Sequence, residues 1–259
     1  MLNSVQKLKL DDVRTVECPS PAEARFLWGE ITSESGMYRE AATGLRPGDV
    51  ALDIGANIGL SALFFADACP DVQVIAAEPA PVTFHCLERN LAAFVPRSTP
   101  LPLAVGAEPG VLPFTWYPHA PANSGLYADR ERDDQATRTF LRNSGLNDDA
   151  AALITADLHR GEQIDVEMTT VSAIMDAYAP DGEIGLLKID VERAELDVLN
   201  GVGDTDWPRI RSVVAEVHDI EGRLARIEDM LRDHGLTSRT RQDPSLQGTE
   251  LYEVYAVRE

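Results

Sequence analysis

The chain has 259 residues, 44% of them hydrophobic and 25% charged, the composition of a soluble globular protein able to bury a sizeable core. With 43 acidic residues against 23 Lys and Arg, its formal charge of −20 repels phosphate backbones and argues against a nucleic-acid partner. Cys18, Cys69 and Cys86 form no CxxC pair, which fits structural thiols in a reducing compartment better than a disulfide frame or a zinc site.

Taken in chain order, the opening "MLNSVQKLKLDD" has no apolar signal core, and no run approaches the ~18 apolar residues of a membrane span. A cytoplasmic protein without membrane contact is expected. Residues 1–46 read as a helical leader or cap: a strand, then "SPAEARFLWGEI" as a helix capped near Ser20 with Pro21 at its start. The turn "RPGD" at 46–49 separates it from a main domain over 47–259. There the pattern alternates. Strands are expected at 50–54, 73–77 and 100–105, with helices at 59–69 and 82–94 between them. Further on, strands are expected at 184–190, 211–218 and 250–258, with helices at 193–201 and 221–235. Such alternation implies an α/β fold, a mostly parallel sheet with helices on both faces.

The middle departs from this pattern. Nine of the sixteen prolines lie between Pro79 and Pro121, and "VLPFTWYPHAPANSGLYAD" suits neither a core helix nor a crossover. A charged helix is expected at 130–143, then loop. Roughly 80 residues between the third and fourth strands are too many for a simple connection, and Phe114, Trp116, Tyr117 and Tyr127 favour an ordered lid or hairpin over disorder. Residues 107–183 therefore read as an inserted lid over the active-site end of the sheet.

The stretch "VALDIGANIG" runs from a buried strand into a tight turn and a helix. Gly55 allows the turn where a Cβ would clash. Asn57 tolerates a left-handed backbone, and Gly59 lets the helix approach the sheet with its N-terminal N–H groups open to a ligand. A dinucleotide fold more usually shows G-x-G-x-x-G, whereas here the spacing is D-x-G-x-N-x-G. Asp53 suits the cationic amino-acid end of S-adenosylmethionine better than a pyrophosphate. Glu78 ends the next strand, 19 residues beyond Gly59, where a carboxylate can accept from both hydroxyls of a ribose. These features alone give a nucleoside-binding, Rossmann-like domain and leave a nicotinamide-dependent dehydrogenase open.

Later segments add a resemblance. "LLKIDVERAELDVLNG" at 186–201 resembles the signature of the FkbM family of S-adenosylmethionine-dependent methyltransferases, usually K-I-D-V-E-G-A-E, and "ALDIGANIG" and "AAEP" resemble its first two motifs. "PAEARFLWGEI", "YPHAPANSGLYAD", "EVHDIEGRL" and "QDPSLQGTELYEVYAVR" are similar to the members associated with polyketide and nonribosomal peptide synthases. Arg193 departs from the usual glycine. The resemblance implies a class I methyltransferase fold, with a seven-stranded sheet whose last strand, "ELYEVYAVR", is reversed. It also implies S-adenosylmethionine as donor and a hydroxyl acceptor. The expected donor site comprises Asp53, Gly55, Asn57, Gly59, Glu78, Pro79, Val105 and Asp190. An N-methyltransferase and a non-catalytic scaffold that binds the donor are the alternatives.

Methyl transfer to an alcohol needs alignment and a base for the hydroxyl proton. Open α/β sheets bind ligands at the C-terminal strand ends, where Asp190, Glu216 and His218 fall. Glu216 and His218 share a strand face by period two, and a histidine titrates near neutrality, so His218 is the first candidate base. His119 in the insertion is the second. Lys188 reads as a pairing partner or a catalyst, and Glu192 and Glu195 as acids favourable to a helix N-terminus. Tyr38, Tyr117, Asn123, Ser124 and Tyr127 are expected to border the acceptor. Asp190, Glu216, His218 and Asp219 could together hold Mg²⁺ or Mn²⁺, a less favoured expectation than no metal. An acceptor tethered to an acidic carrier protein would need local basic residues such as Arg130, Arg132, Arg138 and Arg142.

Overall fold

The computed structural model describes residues 5–34 and 36–258. The N-terminal segment is a hairpin, β1 (Gln6–Lys9) and β2 (Thr15–Cys18), followed by helices α1 (Pro21–Ile31) and α2 (Met37–Thr43). The Ser20 side chain accepts from the Glu23 N–H and Pro21 occupies the first turn, which is why α1 starts there.

Strand β3 (Val50–Ile54), helix α3 (Leu60–Ala68), strand β4 (Gln73–Ala77), helix α4 (Pro81–Phe94) and strand β5 (Ser98–Leu101) follow as expected from the alternation. The run 100–105 was expected as one strand and is two. β5 ends at Leu101, and β6 (Ala104–Val105) belongs to a separate three-stranded sheet. Pro102 has no N–H to continue the ladder, and β5 carries Pro100 because it is the edge strand.

The insertion holds more structure than a lid of loop and one helix. It contains β7 (Gly110–Trp116), α5 (Arg130–Asn143), α6 (Asp148–Thr155), β8 (Glu162–Thr169) and α7 (Val171–Tyr178). The order β6-β8-β7 makes the accessory sheet, while Val171, Ile174 and Met175 return α7 to the main core. Strand β9 (Ile184–Ile189), helix α8 (Glu195–Asn200), strand β10 (Ser212–His218), helix α9 (Arg223–Asp233), and strands β11 (Thr237–Arg241) and β12 (Leu251–Val257) complete the chain.

The main sheet has seven strands in the order β11-β12-β10-β9-β3-β4-β5, with β12 antiparallel to both neighbours. Side chains alternate between its faces. Val50, Leu52 and Ile54 join one apolar cluster with α7, α8 and α9, and Ala51 joins the other with α2, α3 and α4. That second cluster also takes in Leu8, Val16, Ala24, Ile31 and Met37, so the N-terminal segment shares the core of the sheet. The three cysteines are free and buried. Among the described residues, no helix is long and apolar enough to cross a membrane.

Candidate active site

Strands β3, β4, β9 and β10 end side by side, and above them lies a cavity of about 1120 Å³. Gly55 (φ 73°) and Asn57 (φ 49°) take the left-handed backbone that the turn after β3 was expected to need. The carbonyl oxygen of Asp190 passes so close to Gly55 that a Cβ there would run into it. Lys188 holds the same junction. Its ammonium donates to the Gly55 carbonyl at 2.6 Å and lies 3.1 Å from Asp53 and 3.5 Å from Asp190. Burial opposes that charge, but the two carboxylates outweigh it and raise its pKa. Lys188 is thus a pairing partner across the strand ends.

Of the expected donor residues, Gly55, Asn57, Glu78, Pro79, Val105 and Asp190 line the cavity. Two do not. Asp53 is fully buried beneath the turn, accepting from the Ser61 hydroxyl at 2.6 Å and pairing with Lys188. Gly59 (φ 91°) makes room for Leu87 and Leu91 of α4, so it serves packing. Glu78 is 7% exposed; one carboxylate oxygen accepts from the Asn57 N–H at 3.1 Å and the other from the Ala80 N–H at 2.9 Å. Burial pushes its pKa up to about 7 against those two bonds. A glycine turn with no room for a Cβ and an oriented carboxylate on one cavity wall fit an adenosine-type donor. The volume exceeds the ~300–1,000 Å³ of single-ligand pockets, leaving space for an acceptor beside it.

His218 is not the free base expected. Its Nδ1 lies 2.8 Å from Glu195 and its Nε2 3.3 Å from Glu192. Burial disfavours the charged ring, but these two carboxylates outweigh it and push the pKa up to about 10. At neutral pH His218 is therefore an imidazolium without a lone pair to offer. Glu195 is held below its usual range, since donors around it overcome burial, whereas burial and Asp190 raise Glu192. Glu192 and Glu195, read from sequence as helix-dipole acids, are this histidine's partners.

Glu216, two residues before the end of β10, lines the cavity, and its carboxyl, with those of Asp190 and Glu192, forms a cluster of oxygen atoms within 4.8 Å of one another. Burial first, then the charges of Asp190 and Glu192, raise Glu216 well above the usual carboxylate range. The metal-ligand set expected from sequence changes accordingly: Glu192 replaces His218, and Asp219 instead accepts from the Leu224 N–H at the start of α9. Tyr38 reaches in from α2, donates to Asp190 at 3.3 Å and stacks on Phe65.

In the insertion, His119, Asn123 and Ser124 line the cavity. Tyr117 and Tyr127 do not border it as expected. Tyr117 is buried and donates to Asp133 at 2.8 Å, and Tyr127 is 51% exposed and donates to Asp197. From the other side Glu23 of α1 accepts from the Ala122 N–H at 3.1 Å, a contact that nothing in the sequence pattern announces. The arginines offered as a carrier contact are all engaged. Arg130 lies 3.8 Å from Asp134, Arg132 2.6 Å from Glu250 and Arg142 3.5 Å from Asp148, and Arg138 donates to the Thr155 hydroxyl.

A family model described as the methyltransferase FkbM domain matches residues 53–236. The "31-O-demethyl-FK506 methyltransferase FkbM" of Streptomyces tacrolimicus is 42% identical over 261 residues, covering 100% of this chain and 99% of that protein. The "AMB antimetabolite synthetase AmbE" of Pseudomonas aeruginosa is 34% identical over 249 residues, which are 91% of this chain and 12% of that much longer protein. Among solved structures, methyltransferase FkbM from Methylobacillus flagellatus superposes with a TM-score of 0.50 at 14% identity, covering 82% of this chain and 44% of that one. That structure supports the fold alone.

Proposed function

The chain belongs to the FkbM family of methyltransferases, and on that premise we propose that it moves the methyl group of S-adenosylmethionine to a hydroxyl of a polyketide- or peptide-type natural product, free or carried on a carrier protein. The observation that carries the reading is a single cavity with the Gly55 turn and Glu78 at one end and the Asp190–Glu216 carboxyls at the strand ends. The relatives support the substrate class: one is named for O-methylation of a natural product, and the other holds the matching segment within a synthetase.

The donor, when bound, supplies an electrophilic methyl on a cationic sulfur. The residues of this chain bind, align and move a proton. Glu78 would accept from the ribose hydroxyls, and the backbone at Gly55 and Ala56, which lines the same cavity, would hold the amino-acid end. Asp190 is pinned by Tyr38 and Lys188 beside the transfer site. Glu216 takes the acceptor's proton in place of His218: burial and the charges of Asp190 and Glu192 raise its proton affinity, and the cationic sulfur of a bound donor would favour the ionised form that a base needs. The N-terminal segment and the insertion both line the cavity, where they would shield a bound acceptor from water.

The test is incubation with isotope-labelled S-adenosylmethionine and 31-O-demethyl-FK506, the compound in the name of the 42% identical relative, followed by a panel of hydroxylated polyketides and peptides. A product heavier by one methylene and labelled on oxygen is expected. Label on nitrogen throughout the panel would replace the acceptor class, and failure to bind S-adenosylhomocysteine would remove the donor.

A further inference from the structure

The turn after β9 carries a second left-handed feature. Glu192 (φ 51°) and Arg193 (φ 74°) are consecutive non-glycine residues in a backbone region that glycine enters without cost. The surroundings hold this turn in place. The Arg193 N–H donates to Glu195 at 2.8 Å, its carbonyl accepts from Arg223 at 2.6 Å, and His218 grips Glu192. A glycine at 193 would make the same two backbone bonds with less strain, so the reason for arginine lies in its side chain.

That side chain is 4% exposed and reaches across to the insertion, where its Nη2 donates to Asp133 of α5 at 2.6 Å. The other Asp133 oxygen accepts from the Tyr117 hydroxyl, just beyond β7. Beside them Gly125 packs against the backbone of Glu192 so closely that a Cβ would lie 3.0 Å from its carbonyl oxygen. Gly125 also bridges Thr115 of β7, and Ser124 accepts from the Tyr117 N–H at 3.0 Å. Three parts of the insertion thus converge on the turn bearing Asp190 and Glu192. A buried ion pair is weak evidence of stabilisation, because desolvation offsets most of its attraction, so a conformational role explains this one better.

We propose that Arg193 is a positioning residue that latches the insertion to the turn after β9, so that a donor seated at Asp190 orders β7, the 117–127 loop and α5 as one unit over the acceptor. The proposal rests on the donor reading above. The experiment is hydrogen exchange of the whole chain with and without saturating S-adenosylhomocysteine, in the wild type, Arg193→Gly and Arg193→Lys, each with a calorimetric affinity and a melting temperature. In the wild type, residues 111–143 should gain about tenfold protection on binding, a local-opening change of ordinary size. In Arg193→Gly that gain should fall to less than about twofold while affinity stays within about threefold, and Arg193→Lys, which keeps a charge for Asp133, should restore part of it. An undiminished gain in Arg193→Gly, or protection lost equally across the chain, would overturn the latch. A wild type that binds S-adenosylhomocysteine without protecting 111–143 would overturn it as well. A wild type that does not bind S-adenosylhomocysteine at all would overturn the donor reading and the latch together.

Discussion

The Nδ1 of His218 lies 2.8 Å from the carboxylate of Glu195, with Glu192 on the ring's other nitrogen, so a histidine placed by its strand position as a base is instead a fixed cation. Its pKa rises from the ordinary 6.5 to about 10, so it contributes stability that is fully present below pH 6.5 and is lost as pH rises through 10. His218→Gln should therefore flatten the fall in stability between those pH values. At pH 7 it should cost about 3 kcal/mol, because two buried carboxylates lose their counter-charge. Thermal melts of both proteins from pH 6 to 10 check this; parallel curves would return His218 to a neutral state.

Gly55 is the least replaceable residue of the turn. A Cβ there meets a backbone carbonyl, that of Asp190, and neither β3 nor β9 can yield without parting the sheet at its centre. Gly55→Ala should cost more than about 3 kcal/mol and appear as loss of soluble protein or a large drop in melting temperature. Gly48→Ala serves as the control. It also has a positive φ, at 88°, but open space around it, and should cost only about 1 kcal/mol.

Burial pushes the pKa of Glu78 up to about 7, and the proposed ribose contact needs the carboxylate. Below neutrality a proton must leave before the donor binds. Affinity for S-adenosylhomocysteine should thus weaken by up to about tenfold per pH unit as pH falls below 7, and level off above pH 8. Glu78→Gln should lose about 1.5–3 kcal/mol of affinity, the scale of hydrogen bonds to a charged group, and with it the pH dependence. Calorimetry from pH 5.5 to 8.5 in both proteins decides the matter. A flat profile in the wild type would take Glu78 out of direct contact.

Much of the fold was legible because buried parallel strands read as apolar runs: "VALDI" and "QVIAA" match β3 and β4 residue for residue. Strand β8 alternates Ile164, Val166 and Met168, and α7 spaces Val171, Ile174 and Met175 at i, i+3, i+4; both patterns lie in a segment read as loop. Strand β11, "TSRTR", carries no apolar residue and exists through its pairing with β12, so no local pattern reveals it. The left-handed turn at Gly55 and Asn57 was legible because backbone constraints act locally, and Glu78 because it follows directly on an apolar strand; all three line the cavity. The state of His218 was not, since it depends on Glu192 and Glu195, which a left-handed turn folds back onto it. Arg193 could be flagged as the glycine position filled by a charge, but nothing in the sequence named Asp133 as its partner.

On the proposed reading, with His218 held as a cation, it is Glu216 that takes the acceptor's proton. Glu216→Gln keeps shape and hydrogen bonding but removes the base, so kcat should fall by about 10²–10⁴, the usual weight of general-base catalysis, while S-adenosylhomocysteine affinity is unchanged. The same carboxyl could instead ligate a divalent cation with Asp190 and Glu192, since their oxygens lie within 4.8 Å of one another. Chelation separates the two roles. A base needs no metal, so EDTA should leave the turnover of the wild type unchanged. Loss of turnover on chelation, restored by Mg²⁺ or Mn²⁺, would make Glu216 a ligand. The deficit of Glu216→Gln would then shrink at raised metal concentration, whereas a missing base is not restored by any metal.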